Sequence, residues 1–297
     1  MGAPRGTSRA QGAFLWGLLL LYLGGRISLL YADTLPGFAI IILHVVPPAL
    51  FALVHGSMLY RWKGIAIFAA FCLSFGTLAE IASLRTGFPF GHYYFTEVMG
   101  PKILEVPYLL ALAYLGIGYV SWILALLILG QLDQPITGMR VFALPLLASF
   151  IMVAWDVSMD PAWSTLEHAW IWQHGGAYFG VPITNFLGWF LTGYFYYLGF
   201  TLYSRKQLAV LVEMPASYWY VAIGFYAVCA AGNLLLLKVP AAPGMVADAA
   251  GKQWVTADIV RSCVLVSLLL MLPIVVLAAL RVRGAGPVRC GLTGMGC

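Results

Sequence analysis

Three acidic residues stand where acids are scarce. Asp156 and Asp160 lie four residues apart in WDVSMDPAW, at the end of an apolar run, and Glu80 lies near the end of another, in GTLAEIASLRTG. An ionised carboxyl is expensive inside a membrane, and an acid retained there marks function by default. Residues i and i+4 share a helical face, so Asp156 and Asp160 act as a pair if the helix holds that far. Two neighbouring carboxyls share one proton more readily than both ionise. One can then donate a proton and the other accept one. A carboxylate newly stripped of its proton in a dry pocket stabilises a nearby cation. Aromatic faces add about 0.5–2 kcal/mol each by cation–π attraction, and Trp155, Trp163, Tyr93, Tyr94 and Tyr178 fall around the acids. The combination suits protonation of an isolated alkene to a tertiary carbocation. The substrate would be a lipid arriving laterally from the bilayer.

Structural roles compete with this reading. Asp160 before Pro161 suits the N-cap of a short helix, and Pro161 disfavours helical geometry at residue 160. Asp156 falls at a helix C-terminus, whose partial negative charge disfavours an anion, so Arg26 or Arg261 would serve as its counter-ion. Arg26 or Arg85 would serve Glu80. His44 and His55 are eleven residues apart, about 16 Å along a helix. That is too far to ligate one metal, and each reads as an interior hydrogen-bonded histidine. His92, His168 and His174 show no metal spacing. Asn185, in GVPITNFLGWF, is expected to return to the acid-bearing face, and Asn233 to bond neighbouring helices. No P-loop, GxSxG, HExxH or GxGxxG motif occurs, which argues against a nucleotide or a bound metal.

The elements that must position these residues are membrane helices. Of 297 residues 62% are hydrophobic and 9% charged, against roughly 25% charged in soluble domains. A spanning helix needs about 20 apolar residues. That criterion predicts an all-α bundle of about eight spans near 13–31, 37–58, 63–84, 106–129, 139–157, 184–203, 215–237 and 259–281. Residues 1–283 form one membrane domain, and 284–297 a flexible Gly-rich tail holding Cys290 and Cys297. Cys72, Cys229 and Cys263 sit in apolar runs as small core residues. The first span is read as retained rather than cleaved as a signal peptide. Orientation follows from loop charge. With both termini cytoplasmic, the inner segments carry Arg5, Arg9, Arg61, Lys63, Arg140, Arg205, Lys206, Arg281, Arg283 and Arg289. The outer loops carry Arg85, Lys102, Lys238 and Lys252. No basic stripe suggests nucleic acid. Two outer loops, after the third and fifth spans, are long and aromatic, and are expected to form a lid or pocket roof.

Three stretches carry a resemblance to a known family. TGFPFGHYYFTEVMGPKILEVPY (Thr86–Tyr108), WDVSMDP (Trp155–Pro161) and WIWQHGGAYFGVPITNFLGWF (Trp170–Phe190) resemble the carotenoid biosynthesis family of integral membrane hydratases. This is the carotenoid 1,2-hydratase group that includes γ-carotene 1'-hydroxylase and bisanhydrobacterioruberin hydratase. One departure stands in LALAYLG, with Tyr114 where a tryptophan is expected. The resemblance implies addition of water across the terminal C1=C2 bond of an acyclic carotenoid such as lycopene or γ-carotene. It implies no redox cofactor and a bacterial inner membrane. Residue by residue, Asp156, Asp160 and Glu80 match positions expected to be acidic and catalytic. Tyr93 and Asn185 fall within the shared motifs, and Tyr94, Trp155, Trp163, Tyr178 and Trp189 are assigned with them to substrate binding. The rivals are a lycopene-type cyclase, which shares the protonation step, a UbiA-like prenyltransferase, since DVSMD fits DxxxD, and a proton-coupled carrier.

Overall fold

The structure is a computed structural model describing residues 8–31, 34–130, 136–205, 214–238 and 244–284. The expected 284–297 tail lies, beyond Gly284, outside the described residues, as do Arg5, Lys206, Arg289, Cys290 and Cys297. Helix α1 (Arg9–Ser28) opens on a capping box. The Ser8 hydroxyl accepts the Gln11 N–H, and the Gln11 side chain accepts the Ser8 N–H. Two orphan donors are thereby satisfied.

Helix α2 (Gly37–Thr86) is 50 residues long. Straight, it would run about 75 Å, more than twice the roughly 30 Å hydrocarbon core. It is not straight. Arg61 leaves helical geometry at φ 62° and ψ 167°. Gly56 and Ile65 would lie about 13 Å apart along an unbroken helix, yet a Cβ on Gly56 would come within 2.4 Å of Ile65 Cδ1. The chain therefore folds back at Arg61 into two arms.

A short ribbon segment β1 (Tyr93–Phe95) and the hairpin strands β2 (Lys102–Ile103) and β3 (Val106–Pro107) lead to α3 (Tyr108–Ile128). Helix α3 lies between the arms of α2. Leu109 packs on Ile41 and Val45 of the first arm, and Tyr119 meets Phe51 of the first arm and Phe68 of the second. Helix α4 (Arg140–Pro161) passes into a wide π turn, Ala162–Leu166, and strand β4 (Trp170–Trp172) follows. The remaining elements are α5 (Ile183–Ser204), α6 (Ala216–Leu235), the hairpin β5 (Met245–Ala247) and β6 (Gln253–Val255), α7 (Thr256–Val266) and α8 (Leu272–Gly284). A second π turn, Ser267–Met271, joins α7 to α8 just before Pro273.

Among the described residues, six helices are long and apolar enough to cross a membrane, the folded-back α2 counting as one of them. Helix α5 has the length, but its four tyrosines lower its apolarity, and it is not one of the six.

Two sequence expectations change. Helix α4 does not stop near residue 157, and Asp160 is not an N-cap. The helix holds through Pro161. Proline lacks an N–H, so the Val157 carbonyl loses its helical donor. The Tyr178 hydroxyl approaches that oxygen at 3.4 Å, and the Ser164 hydroxyl donates to the Asp160 carbonyl at 2.8 Å. The register from Asp156 to Asp160 therefore stays α-helical.

Close approach of α3 to the first arm depends on Gly116. A Cβ there would lie 2.7 Å from Pro48 Cβ and 2.9 Å from its carbonyl carbon. Backbone cannot yield as a side chain can. Gly116→Val should therefore destabilise the fold by about 1–3 kcal/mol or more, measured as a lowered melting temperature in detergent. Gly17→Ala, where a Cβ meets nothing within 4 Å, should leave it unchanged.

Candidate active site

The i, i+4 spacing on α4 points Asp156 and Asp160 to one side, where both are buried. Asn185, in the first turn of α5, joins them. Its amide nitrogen donates to Asp156 Oδ2 at 3.0 Å and to Asp160 Oδ2 at 2.6 Å. The Trp170 indole donates to Asp160 Oδ1 at 2.9 Å. Glu80, from the second arm of α2, accepts a short hydrogen bond from the Tyr114 hydroxyl of α3. All three carboxyls border one small cavity of about 30 Å³, room for one or two waters.

The partners of these acids are neutral amide, indole and phenol groups. The counter-ions expected from the sequence are elsewhere. Arg26 donates to Asn233 Oδ1 at 2.5 Å, and Arg261 meets Asp258 at 3.4 Å. Neither these nor Arg85, which is exposed, is a partner of the acids. Among the described residues, no group of three His, Cys, Asp or Glu side chains has the arrangement to hold a metal ion.

Three buried polar atoms around the same cavity have no hydrogen-bond partner: Glu80 Oε2, the Tyr93 hydroxyl and Trp172 Nε1. Buried polar groups are nearly always paired. An acceptor, a hydroxyl and an N–H donor converging on one space form the set that a bound water satisfies.

The aromatic loops form the roof. Strands β1 and β4 pair antiparallel, with Tyr93 opposite Trp172 and Phe95 opposite Trp170. Side chains alternate along a strand, so these four rings are buried and border the cavity. The same alternation turns Tyr94 outward, half exposed, so the structure does not bring it to the acids. The first loop is tied down by Phe90 N–H to Ser83 Oγ at 3.1 Å, Ser83 Oγ to Gly91 O at 2.8 Å and Thr184 Oγ1 to Phe90 O at 2.9 Å. Phe90 stacks on Trp189 at 4.6 Å, and Trp189 meets Tyr114 at 4.3 Å. Only glycine fits at 188, where a Cβ would sit 2.7 Å from the Pro89 carbonyl oxygen.

A second, larger cavity of about 90 Å³ adjoins the first, and Leu110, Met159 and Trp170 border both. Trp155 and Trp163 line this second space and not the acid cavity. Tyr178 borders neither; it serves Val157 and packs on Phe186. Asn185 bonds both aspartates, and Tyr93 and Trp189 border the acid cavity. Sequence reasoning missed Tyr114, Trp170 and Trp172 as site residues. The signal for the tryptophans was the period-two WIW, and for Tyr114 its standing as the one departure from pattern.

His55 is fully hydrogen-bonded in the core, to the Tyr119 hydroxyl at 2.7 Å and the Tyr218 carbonyl at 3.0 Å. Asn233 bonds across helices to Arg26, Ser158 and Ser267.

Against known proteins, a family model described as carotenoid biosynthesis protein matches residues 37–250. The chain is also 31% identical over 134 residues to the bisanhydrobacterioruberin hydratase of Haloarcula japonica. That match covers 45% of this chain and 43% of the relative, less than half of either. No solved structure matches.

Tyr114 and Glu80 form one buried unit, so their substitutions should not add. Tyr114→Phe leaves a buried carboxyl oxygen without its donor and should cost about 1–3 kcal/mol. In an equilibrium unfolding cycle with Glu80→Leu, the coupling should fall at about 0.5–3 kcal/mol. Strictly additive losses would contradict the pairing.

Proposed function

The chain belongs to the carotenoid biosynthesis protein family, and from that premise we propose that it hydrates the terminal C1=C2 double bond of an acyclic carotenoid end group. The observation that carries the proposal is the shared cavity: three carboxyls with neutral partners, beside three unpaired polar atoms, walled from an apolar space by Leu110, Met159 and Trp170.

The reaction divides between the two aspartates. The pair holds one proton between them. The protonated member gives its proton to C2, the alkene π electrons form the new C–H bond, and C1 becomes a tertiary cation. A water held by Tyr93, Trp172 and Glu80 places a lone pair on C1. The other aspartate takes the proton that this water loses. The Asn185 amide holds Asp156 and Asp160 side by side, and transfer of that proton from the second aspartate back to the first, through a water of the cavity, resets the site. One water is consumed, and no electron leaves, so the chemistry calls for no redox cofactor. The new carboxylate and the rings of Tyr93, Trp172 and Trp189 stabilise the cation. The rest of the polyene lies in the larger cavity, against Trp155 and Trp163.

The substrate class is lycopene, γ-carotene or a similar acyclic-ended carotenoid. The protein spans a bacterial inner membrane eight times, counting both arms of α2 and α5, with both termini cytoplasmic and the acid cavity toward the outer face. A cyclase would need a water-free pocket, which three unpaired polar atoms do not suit. A diphosphate-using prenyltransferase would need cations beside the acids, whose partners here are neutral.

Expression in a lycopene-accumulating bacterium, followed by pigment mass analysis, tests the reading. The expected product gains the mass of one water per reacted end. Asp156→Asn should lower it by at least about a hundredfold while the protein stays in the membrane. A product of unchanged mass would identify a cyclase, and undiminished hydration by the variant would remove Asp156 from the mechanism.

A further inference from the structure

The larger cavity is not wholly apolar. Arg26 of α1 and His44 of the first arm of α2 both line it, and neither has a part in the chemistry above. Arg26 is only 5% exposed. Its two hydrogen bonds, to Asn233 Oδ1 and, at 3.4 Å, to the Cys229 carbonyl, both leave from Nη2. Its Nε has no partner. A guanidinium carries five N–H donors, so most of its capacity is unspent. Gly232 makes room for it, since a Cβ there would lie 2.1 Å from Nε.

His44 presents the opposite polarity. Its Nδ1 lies 2.7 Å from the Ile40 carbonyl. A carbonyl only accepts, so in the neutral ring Nδ1 carries the hydrogen and Nε2 offers a lone pair. That Nε2 is buried and has no partner. The ring is held edge-on between Tyr22 and Trp163. The lining of a largely apolar cavity therefore includes both a hydrogen-bond donor and an acceptor.

We propose that Arg26 and His44 form a subsite for the hydroxyl group of a long apolar alcohol. The hydroxyl oxygen accepts from Arg26, and its hydrogen is given to His44 Nε2. A hydrocarbon would leave both groups unpaired, which costs about 1–3 kcal/mol for each buried polar group. A carboxylate would satisfy Arg26 but set a lone pair against Nε2. The subsite rests on the hydratase reading only for the polyene nature of the chain. Its hydroxyl belongs either to a carotenoid oxygenated before it arrives or to the tertiary alcohol formed in the neighbouring cavity.

Binding to the purified full chain in detergent tests the subsite without hydration as the readout. The probes are tetraenes of one chain length ending in a primary alcohol, its methyl ether, a carboxylate or a plain methyl. Each quenches Trp155, Trp163 and Trp170 of the cavity wall by energy transfer. The alcohol should bind at least about tenfold more tightly than the hydrocarbon, about 1.4 kcal/mol, and the ether should lose most of that gain. Arg26→Met and His44→Phe should each erase the alcohol's advantage while leaving hydrocarbon affinity within about twofold. His44→Phe lies outside the Asn233 network and decides the matter if Arg26→Met fails to fold.

Equal binding of alcohol and hydrocarbon, tightest binding of the carboxylate, or an advantage that survives His44→Phe would each overturn the subsite. An alcohol preference of the wild type alone supports the subsite if a tertiary alcohol with a saturated neighbouring carbon competes with it, which identifies the product hydroxyl, or if only primary and secondary alcohols do, which identifies an oxygenated substrate. Loss of the preference with hydration intact would leave the hydratase reading standing. Intact preference without hydration would overturn that reading and leave this one.

Discussion

Burial of three carboxyl groups against neutral partners is the constraint around which this end of the molecule is built. A carboxyl moved out of water needs its oxygens satisfied, or it costs several kcal/mol. A guanidinium partner would satisfy them by fixing each group as an anion. Here an amide, an indole and a phenol meet four of the six oxygens without adding charge. Glu80 Oε2 is left without a protein partner, in reach of a water in the same cavity. Asn185 is central, because one amide nitrogen reaches both aspartates and so ties α5 to α4 at the point where α4 meets Pro161.

That demand explains the aromatic loops. A roof over buried acids has to exclude water and still reach down with donors. Tryptophan does both, with an apolar body and one N–H. The two-residue period of a strand delivers such rings to one side only, and pairing of β1 with β4 sets Tyr93, Phe95, Trp170 and Trp172 over the cavity. The ribbon is held by ordinary means: the Ser83 and Thr184 hydroxyls take up loop backbone groups, and Gly188 lets Pro89 lie against α5.

Trp170 links the two cavities physically. It bonds Asp160, and it stands in the wall shared with the larger space. A chain lying in that space therefore touches the residue that orients an acid. The buried cation, Arg26, is kept apart by its bond to Asn233 on α6. A positive charge beside the carboxyls would oppose the development of another in the proposed reaction, and the fold places it instead on the wall that would hold the substrate's tail.

Much of this was legible in the residues. Apolar runs about 20 residues long marked the helices, because hydrocarbon thickness sets that length whatever the neighbours are. The reversal at Arg61 fell between two such runs. The aspartate spacing set a common face, since the α-helical repeat is a local property, although Pro161 obscured it. The hydroxyl of Tyr178 that meets the carbonyl exposed by that proline comes from 21 residues on, and no local rule could supply it. Partners of the acids belonged to the same class of fact. Glu80 meets Tyr114, and Arg26 meets Asn233, across separations of 34 and 207 residues. Residue type and spacing by themselves determined that carboxyls would be buried near aromatic loops. Which donor met which oxygen, which face of a strand looked inward, and that the cation stood apart from the acids were decided by tertiary packing, because hydrogen bonds between helices depend on how the helices are rotated against one another.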